Sequence, residues 1–221
     1  MSINVPYGGP GNLPDVVPVF PLEGALLLPR GELPLNIFEP RYLAMVDDAL
    51  RSHRLIGMIQ PRPSQDDRST SALCEVGCLG RITQFAETGD GRYVLTLTGI
   101  ARFRLREEAV VATPYRQGRV DFSGFDSDFV EGDGEADVDR AGVVRTLRDF
   151  ASTHDLDVDW SSIEAAENET LVNALSMMCP FGAREKQALL EASSLKLRAD
   201  VLIAITERDL ARADGATTSL Q

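Results

Sequence analysis

The chain is poor in the residues that most often carry chemistry. It has 3 cysteines, 2 histidines and 1 tryptophan in 221 residues, and Lys186 and Lys196 are its only lysines. Cys74, Cys78 and Cys179 are too few, and odd in number, for a disulfide framework. On a strand Cys74 and Cys78 would lie ~13 Å apart, four residues along one face, beyond the reach of a sulfur bridge. A closed zinc site wants four ligands, and His53 and His154 fall in separate helical contexts. The expectation is buried free thiols, no metal and no cofactor. No run approaches the ~20 apolar residues that cross a bilayer. Residues 1–14 lack both the basic start and the apolar centre of a secretory signal. They read as a flexible lead-in, and the expected setting is the cytoplasm.

Basic charge is also scarce. The net charge is -12, with 22 basic against 34 acidic residues. Such a balance disfavours nucleic-acid binding driven by phosphate neutralisation. The imbalance is local: from Asp121 to Asp139 there are acidic residues and no basic ones. With 43% hydrophobic and 25% charged residues, the rest reads as ordinary globular protein.

What is present is a set of short apolar strands cut by prolines. Val16 to Phe20, Ala25 to Leu28 and Leu33 to Phe38 are strand candidates, each ended by proline, which suits strand edges. Pro40 then opens a helix where its missing N–H costs nothing. Tyr42, Leu43, Val46, Ala49 and Leu50 follow as a stripe at the helical period. Leu55 to Ile59 is a strand and Pro61 to Ser71 a polar loop. Gly77 to Ala86 and Arg92 to Thr98 flank Thr88-Gly89-Asp90-Gly91, which supplies the positive φ of a hairpin turn. A further strand sets Phe103 and Leu105 against Arg102, Arg104 and Arg106, and Arg119 to Phe122 adds a last one. About seven short strands with one helix predict a small closed barrel.

The acidic, glycine-bearing run then breaks the composition, and the remainder reads helical. Val143, Leu147 and Phe150 form a stripe behind Asp139, a candidate N-cap. Leu171, Val172, Leu175 and Met178 form another behind Asn168; Glu185 to Ala192 follows Pro180 and Gly182, and Ser194 can cap a final helix. The predicted layout is α+β: a β barrel with one inserted helix over 15–122, an acidic linker over 123–137, an α-helical bundle over 138–213 and a disordered tail over 214–221. Phe122, Phe125 and Phe129 in or beside the linker suggest that it docks on its own barrel or on a partner.

In order, Val17-Pro18-Val19-Phe20-Pro21-Leu22, Leu28-Pro29, Leu33-Pro34-Leu35, Glu75-Val76-Gly77-Cys78-Leu79-Gly80-Arg81-Ile82 and Leu97-Thr98-Gly99-Ile100-Ala101-Arg102-Phe103 resemble the N-terminal substrate-binding domain of Lon-type ATP-dependent proteases. Asn36-Ile37-Phe38-Glu39-Pro40-Arg41-Tyr42 is similar to the short, stand-alone bacterial members, and Pro180-Phe181 with Glu185 to Glu191 resembles the helices after the barrel. The likeness spans roughly residues 15 to 210. It implies a PUA-like barrel with a C-terminal helical bundle that recognises unfolded or tagged polypeptide, in protein quality control. Neither lysine sits in the G-x-x-x-x-G-K-[ST] loop an ATPase needs, and no G-x-S-x-G elbow occurs. The expectation is therefore a recognition or adaptor module and not an enzyme.

Two sets of residues are candidate sites. Asn36, Glu39, Arg41 and Tyr42 can line a groove that grips peptide; equally, Glu39 and Arg41 can be an ion pair bracing helix to barrel. Arg102, Arg104 and Arg106, extended by Arg81, are the alternative, an RNA-binding face of a PUA-like barrel. Against that alternative, Glu107 and Glu108 follow at once, and no aromatic residues interleave to stack on bases. His53 and His154 both sit at helix ends, where the dipole favours a cation.

Overall fold

The computed structural model describes residues 7–62 and 72–218, with side chains described up to residue 212. Six strands and six α-helices follow in order: β1 (Val16–Pro21), β2 (Glu32–Ile37), α1 (Pro40–Arg51), β3 (Leu55–Pro61), β4 (Leu73–Glu87), β5 (Tyr93–Glu108), β6 (Gln117–Asp121), α2 (Arg140–Thr153), α3 (Trp160–Ala165), α4 (Asn168–Met178), α5 (Ala183–Glu191) and α6 (Leu195–Thr218). The strands form one sheet in the order β2-β5-β4-β3-β1-β6, and β6 pairs again with β5. The ladder β5-β4-β3-β1-β6 thus returns to β5, leaving β2 outside that circuit. All pairs are antiparallel except β1 with β3.

One long strand makes this possible. The sequence reading expects separate strands at Arg92 to Thr98 and around Arg102 to Arg106; the structure joins them as β5, 16 residues long. Tyr93 to Thr98 lie between β2 and β4, while Arg104 to Glu108 pair with β6. Its ladder with β4 shifts register near Leu79/Gly80 and Ile82/Gln84, the kind of irregularity at which strands bend.

The motif glycines are close-approach positions. A Cβ on Gly77 would stand 2.5 Å from Phe103 Cζ, and Phe103, fully buried, meets Phe122 edge-on at 6.3 Å. A Cβ on Gly99 would lie 2.0 Å from the Leu28 carbonyl oxygen. There the chain crosses β5, with Arg30 N–H donating to Gly99 O at 2.8 Å and Gly99 N–H to Gly31 O at 2.9 Å. This corrects the expected strand at Ala25 to Leu28, which has no strand partner. Its leucines are apolar because Leu26, Leu27 and Leu28 are buried under the crossing.

Two apolar clusters hold the molecule. Val17, Val19, Leu79, Ala101, Phe103, Val120 and Phe122 pack within one. A larger one runs from Leu28, Met45 and Leu97 to Leu171, Val172, Leu189 and Leu202, joining sheet and helices without a break. Asp139 caps α2 through Gly142 N–H at 2.9 Å, and Ser194 caps α6 through Leu197 N–H at 3.1 Å. Glu167 rather than Asn168 is the N-cap position of α4. Helix α3 has no buried side chain and hence no apolar stripe in the sequence.

The acidic segment is folded onto the sheet. It carries short 3-10 turns at Asp126–Phe129 and Glu135–Asp137, and Phe122, Phe125 and Asp128 are buried. Near the start of the chain Leu13 is buried. The backbone of 214–218 continues α6. Residues 1–6, most of the polar loop (63–71) and the end of the expected tail (219–221) lie outside the described residues.

Candidate functional site

Strand alternation builds an exposed, uncharged face on β2, β5 and β4. On β2, Leu35 and Ile37 turn inward while Pro34 and Asn36 turn out. The register places Asn36 beside Val94 and Val94 beside Ala86; Pro34 lies beside Thr96 and Thr96 beside Gln84. These six positions carry no formal charge. Phe38, next in the alternation after Asn36, is 62% exposed, and Val94 is 44% exposed. Phe85 and Tyr93 meet edge-on at 5.0 Å near the same hairpin. Among the described strands β2 pairs with β5 alone. Charge returns at the flanks, with Glu32 level with Thr98 and Thr98 with Arg81 at one end, and Glu39 and Arg41 just past β2 at the other.

The proposed peptide-binding residues divide. Asn36 is exposed on this face. Glu39 and Arg41 are partly exposed and bonded to each other, Nε to Oε2 at 2.9 Å and Nη2 to Oε2 at 2.8 Å. Tyr42 is buried, its ring 4.2 Å from that of Phe20 and 4.5 Å beneath the Arg41 guanidinium. Burial pushes the Tyr42 phenol above its usual pKa. Tyr42 therefore holds α1 to β1, and Phe38 is the aromatic ring offered to solvent. Strict alternation beyond Ile37 is the signal that could have singled out Phe38.

The arginine set does not form one face. Arg102 is 2% exposed, with its guanidinium bonded to Asp128 at 2.7 Å and to the Leu190 carbonyl at 3.2 Å, and its backbone N–H bonded to Asp128 Oδ2 at 2.8 Å. Beside it lies Arg198, also buried, donating to Leu189 O at 3.1 Å and Asn173 Oδ1 at 2.9 Å. Burial, then the Arg102 charge, lowers the Arg198 pKa to about 10. Arg30 bonds Glu169 and donates to Asp128 O at 2.7 Å. Together these tie sheet, acidic segment and helices. Arg104 pairs with Glu75 at 3.2 Å, Arg106 with Asp121 at 2.5 Å, and Arg81 donates to Tyr7 at 2.8 Å. An outward position on β5 became interior because the second half of the chain covers it.

Nucleophile chemistry finds little support in these surroundings. Burial raises the pKa of all three thiols, that of Cys179 to about 11, which disfavours thiolate. His154 holds the C-cap position of α2, its ring tilted against that of Phe150 at 4.2 Å and its Nε2 3.6 Å from Asp209 Oδ2. Among the described residues no three His, Cys, Asp or Glu side chains are grouped to hold a metal, and no helix is long and apolar enough to cross a membrane.

A mixed sheet whose ladder returns on itself is thus joined to helices by one apolar cluster and presents an uncharged face on β2, β5 and β4. Comparison with known proteins identifies the family. The family model of the ATP-dependent protease La (LON) substrate-binding domain matches residues 16–208, and the chain belongs to that family. Lon protease 2 of Myxococcus xanthus is 28% identical over 205 residues, covering 89% of this chain but 24% of the relative. The chain thus spans about a quarter of the length of the curated relatives it matches. Two solved structures share the fold. The N terminal domain of Mycobacterium avium complex Lon protease has a TM-score of 0.62 at 18% identity, covering 87% of this chain and 98% of that one. The Lon N-terminal domain protein from Xanthomonas campestris has a TM-score of 0.58 at 24% identity, covering 86% and 97%.

Proposed function

We propose that this protein is a non-catalytic polypeptide-binding module, a substrate-recognition or adaptor protein of cytoplasmic quality control, and that it holds its ligand on the β2-β5-β4 face. In this reading the returning ladder is a PUA-like barrel and the helices after the acidic segment are its bundle. The observation that carries the site is the row of uncharged outward positions ending at Phe38. Exposed apolar side chains framed by charge mark interaction surfaces, and an edge strand with one free side can take up extended chain. Asn36 supplies an amide for peptide backbone on the edge strand of the face, and the Glu39–Arg41 pair borders it. Family membership supports polypeptide as the ligand class. The RNA-binding alternative is not favoured, because Arg102 is enclosed and Arg104 and Arg106 each lie against a carboxylate.

The test is the anisotropy of fluorescein-labelled β-casein, an unfolded polypeptide, titrated with the protein. The expected result is saturable binding that falls about tenfold or more in Phe38→Asp, equal to a loss of ~1.4 kcal/mol or more, with the melting temperature unchanged. Wild-type protein that leaves the anisotropy flat would overturn the proposal, as would a Phe38→Asp variant binding as well as wild type.

A further inference from the structure

Away from that face, a notch of about 230 Å³ opens between the start of β1 and the end of α1, lined in part by Val16, Pro18, Asp48, His53 and Tyr115. It exists because β1 has neighbours on different sides along its length. Val16 to Pro18 pair with β6, whereas the ladder to β3 begins only at Val19 beside Gly57. The α1 terminus fills part of the space this leaves. Several water volumes of ~30 Å³ each fit in it, enough for one long side chain.

The lining is amphipathic in a particular way. Val16 (36% exposed), Pro14, Pro18 and Leu55 make apolar walls. The one carboxylate of the lining is Asp48, in the last turn of α1. Tyr115 O–H donates to Asp48 Oδ2 at 2.8 Å, and Arg51 lies 3.4 Å from Oδ1 on the solvent side. A carboxylate offers about four lone-pair sites, so Asp48 can take a further donor. The Tyr115 phenol, its pKa raised to about 12 by burial and by the Asp48 contact, stays neutral. His53 is the other ionisable group of the lining. The end of α1 adds the negative pole of its dipole, and the whole chain carries -12. Apolar walls leading to one carboxylate at a helix C-terminus match a cation on an aliphatic stem.

We infer that this notch receives a lysine or arginine side chain of a bound polypeptide, with the stem along Val16 and Pro18 and the charged head at Asp48. The inference rests on the polypeptide-binding reading and adds a preference to it. It makes the notch a second contact, separate from the β2-β5-β4 face, for chains bearing basic residues.

The experiment uses two labelled peptides in a Ser/Thr/Val background, identical except for lysine or norleucine at the central position, titrated by anisotropy at low salt. Asp48 is half exposed, so the expected result is roughly three- to fivefold tighter binding of the lysine peptide, the upper range for an exposed ion pair. That ratio should fall to near one in Asp48→Asn and in Gln117→Lys, which puts a tethered ammonium beside the notch. Thermal melts confirm that both variants are folded. Phe38→Asp should weaken both peptides and leave the ratio intact. If wild type shows no preference while β-casein still binds and Phe38→Asp still impairs it, the inference falls and the sheet-face reading stands. A preference that survives both Asp48→Asn and Gln117→Lys also overturns it. If neither peptide nor β-casein binds, both readings fall.

Discussion

At the scale of single residues, the positions that tie this chain to its family are chiefly architectural. Gly77 gives room to Phe103, Gly99 to the Leu28 carbonyl, and Arg102 joins sheet, acidic segment and helices. Breaking a buried pair by removing one partner leaves the other charge uncompensated, at a cost of ~3–5 kcal/mol. Asp128→Ala should therefore destabilise the protein by about that much in urea unfolding, a large part of the 5–15 kcal/mol typical of native proteins. A change below ~1 kcal/mol would show that the network contributes little. Gly99→Ala should also lower the urea midpoint sharply, because the contact it meets is backbone and cannot swing aside. Midpoints equal to wild type would mean that the 26–30 crossing is loosely held. Neither role is legible in the sequence: an arginine alternating with Phe103 reads as an outward residue, and only the covering helices turn it inward.

Elements were legible where periodicity and caps agree. The α1 stripe behind Pro40, the hairpin at Gly89 and Gly91, and the caps Asp139 and Ser194 follow from local chemistry alone. The 24–30 segment was not, because burial beneath a crossing and strand pairing select the same leucines. Helix α3 is six residues with no buried side chain, so it has no stripe to detect. Its stability comes from the cap: Asp159 accepts from Ser161 and Ser162, and these bonds lower its pKa to about 2. The sign follows. A depressed folded-state pKa means that the cap stabilises α3 above the ordinary aspartate pKa of ~3.9. The contribution is lost as pH falls from there towards 2. Trp160, the only tryptophan, opens this helix, and the Arg148 guanidinium lies over its ring at 5.2 Å. Its fluorescence should change between about pH 4 and 2, and Asp159→Asn should flatten that change. An identical acid profile in the variant would contradict the assignment.

For the whole molecule, the order of proline-cut strands, helix, hairpin and helices is enough to mark the likeness to its family, and the structure shows how those elements pack together. One core runs through both halves, so sheet and helices support each other rather than standing as beads on an acidic linker. The segment from Asn36 to Tyr42 is legible as a strand end running into a helix, but whether the Tyr42 ring packs on Phe20 or faces water is not, since an aromatic at a helix start looks the same either way. Val94 and Ala86 join the face only through strand register, which no local pattern reveals. The notch at Asp48 depends on where the β1–β3 ladder begins, and that too is decided by long-range pairing.

The most direct measurement is hydrogen–deuterium exchange of the full chain with and without saturating β-casein. Slower exchange is expected over 32–38 and 93–96, with no comparable change at the buried Arg102–Asp128 junction and β-casein recovered intact. Unchanged exchange in 32–38 and 93–96 under saturation, or β-casein cleaved by the purified protein, would contradict the proposed function.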